Sequence, residues 1–279
     1  MAASSSIDVD YGALPQRTVD VDGVPVWTVD AGEGPAVLLV HGSPVSSFSF
    51  RRTIAALRHR FRVVAPDLPG FGRTPAPEEG ASLGVLARTL RGLVDALALE
   101  GLRVVAHDWG GPVAMACLAE RPAQLEQLVL VNTTFRPDFA PPWYWRAFTA
   151  PGLGDLLVVR ANLFGRALPV LLPAAWDRRI RDAYAGPLRA RSSRRTAIAL
   201  ERLAGYRPAM ERVMRRLPQL RVPSLVLWGQ PDVYFLPRER RWLARTLPDA
   251  RTRLLPGAGH FPQEDGAEAF TAALEAFLV

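Results

Sequence analysis

Three side chains are placed to do chemistry together: Asp108, Asp232 and His260, each just past the end of a predicted strand. Asp108 lies in Val104-Val105-Ala106-His107-Asp108-Trp109-Gly110-Gly111-Pro112-Val113-Ala114, where an apolar, β-branched run meets an acid, a Gly pair and a second apolar run. That order reads as a buried strand, a very tight turn and a helix start. Small residues two before (Ala106) and two after (Gly110) let the backbone double back without a Cβ clash. A carboxylate at such a tip has two uses. It caps the helix that begins near Gly111, or it attacks a saturated carbon that carries a leaving group. Asp232, in Gln230-Pro231-Asp232, and His260, in Gly257-Ala258-Gly259-His260-Phe261, each read alone as turn or loop residues. Taken with Asp108, they supply nucleophile, acid and base in that chain order.

The elements that must position these groups follow from periodicity. Gln16–Val21 and Val24–Val29 form a hairpin across Asp22-Gly23. Ala36–Val40 is a continuous apolar run, as expected of a strand buried on both faces, and it ends in His41-Gly42-Ser43-Pro44. The backbone N–H of Ser43 is a candidate half of an oxyanion hole. Phe48–Arg60 is helical in pattern, Phe61–Pro66 a strand, Ser82–Ala98 an amphipathic helix, Leu102–Ala106 the central strand, Gly110–Arg121 its helix, and Leu125–Val131 a strand ending in Asn132. Strands alternating with helices predict an α/β fold with a doubly wound, mostly parallel sheet, which binds ligands beyond its strand C-termini. Residues 136–217 hold no clear strand and predict an inserted helical cap, with helices near Pro142–Phe148, Leu153–Phe164, Pro173–Ala185 and Arg191–Arg216. Val222–Gly229 restarts the sheet, Arg238–Leu247 is a helix, Arg251–Leu255 the last strand, and Ala267–Leu278 the closing helix. The core domain is then 1–135 with 218–279, and the cap is 136–217.

Composition narrows the function. A chain of 279 residues with 49% hydrophobic content can bury a large core. All 34 basic residues are Arg, so Schiff-base chemistry and lysine-anchored pyridoxal phosphate are excluded. The lone Cys117 leaves no intramolecular disulfide and reads as packing. No Cys/His pair has metal-ligand spacing, so neither a metal nor another cofactor is expected. The net charge of +7 comes from scattered arginines, densest over 178–195, with no nucleic-acid motif, so nucleic acid is not an expected partner. Residues 1–6 have no basic or apolar leader pattern, and no apolar run approaches membrane-spanning length, so a cytoplasmic location without membrane contact is expected. The oligomeric state is not readable.

Over nearly its whole length the sequence resembles the α/β-hydrolases. His107-Asp108-Trp109-Gly110-Gly111-Pro112 is similar to the elbow of the haloalkane dehalogenases and epoxide hydrolases. Trp228-Gly229-x-x-Asp232 and Gly259-His260-Phe261-x-Gln263-Glu264-Asp265 resemble their acid and base motifs. Asn132-Thr133 and Asn162-Leu163-Phe164 resemble the branch whose acid follows the later strand, which also contains β-lactone decarboxylases. The resemblance implies that Asp108 forms an alkyl-enzyme ester. His260, oriented by Asp232, then directs water onto it, and the N–H groups of Ser43 and Trp109 hold the oxyanion. A carbon–halogen bond is the first expected target, with halide near the Trp109 indole and Ser43. In the nearest dehalogenases an Asn stands where this chain has Ser43. An epoxide is the alternative, with Tyr206, Tyr144 or Tyr184 as cap proton donors; β-lactone cleavage or a non-catalytic ligand-binding fold follow. Trp143, Trp145, Phe148 and Phe164 are expected to wall a pocket for a small, hydrophobic, uncharged substrate.

Overall fold

The computed structural model describes residues 9–278, so the N-terminal stretch in which no leader was read lies outside it. Eight strands form one sheet: β1 (Gln16–Val21), β2 (Val24–Ala31), β3 (Ala36–Val40), β4 (Arg62–Pro66), β5 (Leu102–His107), β6 (Leu125–Val131), β7 (Ser224–Gln230) and β8 (Ala250–Pro256). Their spatial order is β1-β2-β4-β3-β5-β6-β7-β8. The β1–β2 hairpin and the β2–β4 pair are antiparallel, and every pairing from β4 to β8 is parallel. Strand β5, which delivers Asp108, is therefore central, between β3 and β6.

The helices are α1 (Arg51–Leu57), α2 (Leu83–Ala96), α3 (Gly110–Leu118), α4 (Arg146–Thr149), α5 (Leu163–Leu171), α6 (Arg178–Ala185), α7 (Arg191–Glu201), α8 (Tyr206–Arg216), α9 (Pro237–Thr246), α10 (Pro262–Asp265) and α11 (Ala267–Phe277). The two-residue period of the strands divides the core between two layers. Val37, Leu39, Val105 and Val129 face α1 and α11, while Leu38, Val40, Val104 and Leu128 face α2 and α3. Both faces are covered, which is why these strands read as unbroken apolar runs.

Helices α4–α8 all fall between β6 and β7. Two predicted helices there are broken. Leu203 (φ 59°) and Gly205 (φ 71°) turn left-handed and split Arg191–Arg216 into α7 and α8. Asn162 (φ 52°) likewise separates a π-helical turn over Asp155–Arg160 from α5. No helix among the described residues is long and apolar enough to cross a membrane.

Candidate active site

Asp108 sits on backbone of unusual conformation. Its φ is +53°, a left-handed value that costs a non-glycine residue about 1 kcal/mol or more. Neighbouring loops hold it there. The Asp108 carbonyl accepts from the Thr133 hydroxyl at 2.5 Å, and its N–H donates to the Val131 carbonyl at 3.2 Å. The turn has no room for larger neighbours: a Cβ on Gly42 would lie 2.2 Å from Asp108 Oδ1, and one on Gly110 2.3 Å from the Val40 carbonyl.

The side chain projects into the loops beyond the strand ends. The Ser43 N–H donates to Asp108 Oδ1 at 2.8 Å, and the Trp109 N–H also stabilises the carboxylate. These are the two donors the sequence suggested for an oxyanion hole. Burial nevertheless lifts the Asp108 pKa to about 7, because His260 and the two N–H groups offset only part of the desolvation and nearby Glu201 adds repulsion. His260 Nε2 stands 3.6 Å from Asp108 Oδ2. On its far side, His260 Nδ1 donates to Asp232 Oδ2 at 3.0 Å. Burial disfavours the imidazolium, but Asp232, Asp108 and Glu201 together outweigh it and raise the His260 pKa to about 9.

Asp232 is held from several directions. Its Oδ1 accepts from the N–H groups of Tyr234 and Phe235 at 2.8 and 3.0 Å, and its Oδ2 accepts from Asn132 Nδ2 at 2.7 Å. Burial alone would raise its pKa; His260 and these donors keep it below the ordinary carboxylate range. Asn132 also bridges to Gly229, donating to its carbonyl at 2.9 Å and accepting its N–H at 2.8 Å. It thus ties the end of β6 to the acid loop after β7. His107 Nε2 donates to the His260 carbonyl at 2.8 Å and fixes the base loop; burial drives its own pKa down to about 3, so it stays neutral. Four residues past His260, Glu264 pairs with both Nη atoms of Arg51 at 2.6 and 2.8 Å and accepts the Tyr184 hydroxyl at 2.9 Å. This buried cluster anchors the segment that carries the base.

A cavity of about 880 Å³ opens over Asp108, Asp232 and His260. Trp145, Phe148, Phe164, Leu168 and Ile198 wall it from the β6–β7 helices. Trp143, the fourth expected wall residue, is instead 78% exposed and is not in the lining. Of the three tyrosines considered as proton donors, Tyr144 lines the cavity, with its hydroxyl bonded to the Val233 carbonyl. The Tyr206 hydroxyl donates to the Arg136 carbonyl at 3.1 Å, and that of Tyr184 to Glu264; neither lines the cavity.

The Trp109 indole is also committed. Its Nε1 donates to Glu201 Oε1 at 2.9 Å, and Trp145 Nε1 and the Tyr234 hydroxyl donate to Glu201 Oε2 at 2.7 and 2.6 Å. A carboxyl group from α7 thus occupies the Trp109 indole, one of the two contacts expected to receive halide; Ser43, the other, lines the cavity. Neither Glu201 nor Tyr234 was recognisable beforehand. Glu201 closes an Arg-rich amphipathic helix and reads as a solvated residue, and Tyr234 lies in a loop without a pattern. Asn132 was placed at a strand end, but its bond to Asp232 joins residues 100 apart in sequence. Among the described residues no group of three or more His, Cys, Asp or Glu is arranged to hold a metal.

The family profile described as alpha/beta hydrolase fold matches residues 35–267. Haloalkane dehalogenase 2 of Mycobacterium tuberculosis is 36% identical, covering 96% of this chain and 98% of its own. A cis-3-alkyl-4-alkyloxetan-2-one decarboxylase of Xanthomonas campestris pv. campestris is 27% identical, covering 96% and 97%. The haloalkane dehalogenase DatA from Agrobacterium tumefaciens C58 superposes with a TM-score of 0.86 at 23% identity over 94% of this chain and 95% of its own, a likeness of fold. With its parallel sheet, its elbow at the end of β5 and this full-length kinship, the chain belongs to the α/β-hydrolase family, among relatives of the haloalkane dehalogenases.

Proposed function

We propose that this chain is a hydrolase of small, apolar molecules that works through an ester on Asp108. The observation that carries the reading is the convergence on one carboxylate of the Ser43 N–H at 2.8 Å and the His260 imidazole at 3.6 Å, beneath a largely apolar cavity. The β6–β7 helices act as the cap over that cavity.

In the first step Asp108 attacks a saturated carbon; the new C–O bond forms as the bond to the leaving group breaks. Ester formation removes the negative charge of Asp108, one of the charges that hold His260 protonated. The imidazole pKa falls at that point and the imidazolium releases its proton to solvent; the neutral base then takes a proton from water as the water attacks the ester carbonyl. Asp232 steadies the resulting imidazolium through Nδ1. The N–H groups of Ser43 and Trp109, already aimed at the Asp108 carboxylate, stabilise the tetrahedral oxyanion.

Kinship with proteins named haloalkane dehalogenases supports a halide as leaving group. A second reading, opening of an epoxide, is favoured by Glu201, whose carboxyl already holds the Trp109 and Trp145 indoles.

His260→Gln tests the common step. The ester should form and persist, adding the mass of one alkyl group to the intact protein after exposure to 1,2-dibromoethane or styrene oxide. Peptide mapping should place it on Asp108. An unmodified protein with both compounds defeats the reading.

A further inference from the structure

Glu201 is the one charged side chain that the β6–β7 helices contribute to the cavity lining among the described residues. Its neighbours on that wall, Ala197 and Ile198, are apolar, and a carboxyl in such a setting is costly unless it is partnered. Three donors partner it, drawn from three parts of the chain: Trp109 beside the nucleophile, Trp145 before α4, and Tyr234 two residues past the acid. The donors are shared unevenly. Trp145 and Tyr234 fill both lone pairs of Oε2, whereas Oε1 receives Trp109 alone, which leaves one position for a proton or a substrate contact. Burial raises the Glu201 pKa although the three donors and the nearby His260 oppose it.

A departing halide that approached the Trp109 indole would meet a carboxyl already seated on it. A departing alkoxide needs something else, a proton at the moment the C–O bond breaks. We propose that Glu201 is the leaving-group acid of this site, giving its Oε1 proton to the oxygen of an epoxide as Asp108 opens the ring. The inference rests on the ester reading of Asp108 and names its substrate class. Asp108 forms a C–O bond, the ring C–O bond breaks, and its electron pair takes the Glu201 proton to give a hydroxyalkyl ester. The new carboxylate is then stabilised by Trp109, Trp145 and Tyr234. Water hydrolyses the ester, and the proton collected by His260 restores Glu201, so the sum is epoxide plus water to diol.

The experiment measures diol from styrene oxide and bromide from 1,2-dibromoethane for the wild type, Glu201→Gln and Glu201→Ala. Diol formation should lead in the wild type and fall about 10²-fold to 10⁴-fold in kcat in both variants, the range expected for loss of a general acid. Bromide release should persist in Glu201→Gln, whose amide oxygen can still accept from an indole, and rise about tenfold or more in Glu201→Ala, where the indoles are freed. Bromide release in both variants also certifies that they are folded. Diol formation that survives in the variants, bromide release that does not increase in Glu201→Ala, or loss of both activities in both variants each overturns the acid role. The mass of His260→Gln with each compound keeps the two claims apart. An adduct without any effect of Glu201 removes only the acid, whereas no adduct from either compound removes the ester chemistry as well.

Discussion

The floor and the roof of the cavity are built differently. The floor comes from loops at the ends of β3, β5, β6, β7 and β8, and its polar groups are buried and cross-tied. Asn132 bonds Asp232 and Gly229, His107 holds the His260 carbonyl, and Arg51 holds Glu264. The roof comes from the β6–β7 helices and is mostly apolar, with large side chains left open to solvent, including Val170 at 80% and Trp143 at 78% exposed. A nucleophile and its base must be held in place to a fraction of an ångström, which buried hydrogen bonds achieve. An apolar wall sets substrate size and can change without disturbing that geometry. Glu201 is the exception on the roof, and two of its three donors, Trp109 and Tyr234, belong to the floor.

If the floor is the rigid half, its anchor should be the costliest to cut. Glu264→Gln removes the carboxylate that pairs with the buried Arg51 guanidinium and should lower unfolding free energy by about 3 kcal/mol in urea titration. A loss under about 1 kcal/mol would mean that the base segment is held by packing, as the roof is.

A middle-sized effect concerns the cost of the nucleophile. The folded Asp108 pKa, about 7, exceeds its unfolded value, so the fold binds this proton more tightly than the unfolded chain does. The penalty is absent below the unfolded pKa, grows as pH rises between the two values and is complete above about 7. Asp108→Asn should therefore abolish turnover yet stabilise the protein at about pH 8 by roughly 1–3 kcal/mol, with the gain gone near about pH 4. Thermal melts across that window check the sign; a variant less stable than the wild type at the higher pH contradicts it.

The smallest effect belongs to the roof. Tyr206→Phe removes only a hydrogen bond to the Arg136 carbonyl and should cost about 1 kcal/mol or less, leaving diol and bromide rates within about twofold. A large loss of diol formation would return the proton donor to the cap tyrosines and erase the distinction drawn for Glu201.

Much of the floor was legible because its signals are local. An apolar strand followed by Ala106-x-Asp108-x-Gly110 specifies a tight turn whatever lies around it, since small residues are the ones that permit it. The same holds for Gly42 and for the strand before His260. The roof resisted such reading at particular places. Its long helical period hid the breaks at Asn162 and at Leu203 and Gly205, where left-handed residues reset the chain direction. Tyr206 and Tyr184 carried the right functional group at plausible positions, but nothing local tells where a hydroxyl will point.

Sequence alone determined the sheet and which polar residues end its strands, because apolar periodicity and small turn residues act over a few positions. Tertiary structure alone decided what meets the carboxylates. Glu201 reaches Trp109 across 92 residues, Asn132 reaches Asp232 across 100, and Arg51 reaches Glu264 across 213. Hydrogen-bond partners at such separations are chosen by how helices and loops pack, and a residue's own neighbours in sequence carry no record of that choice.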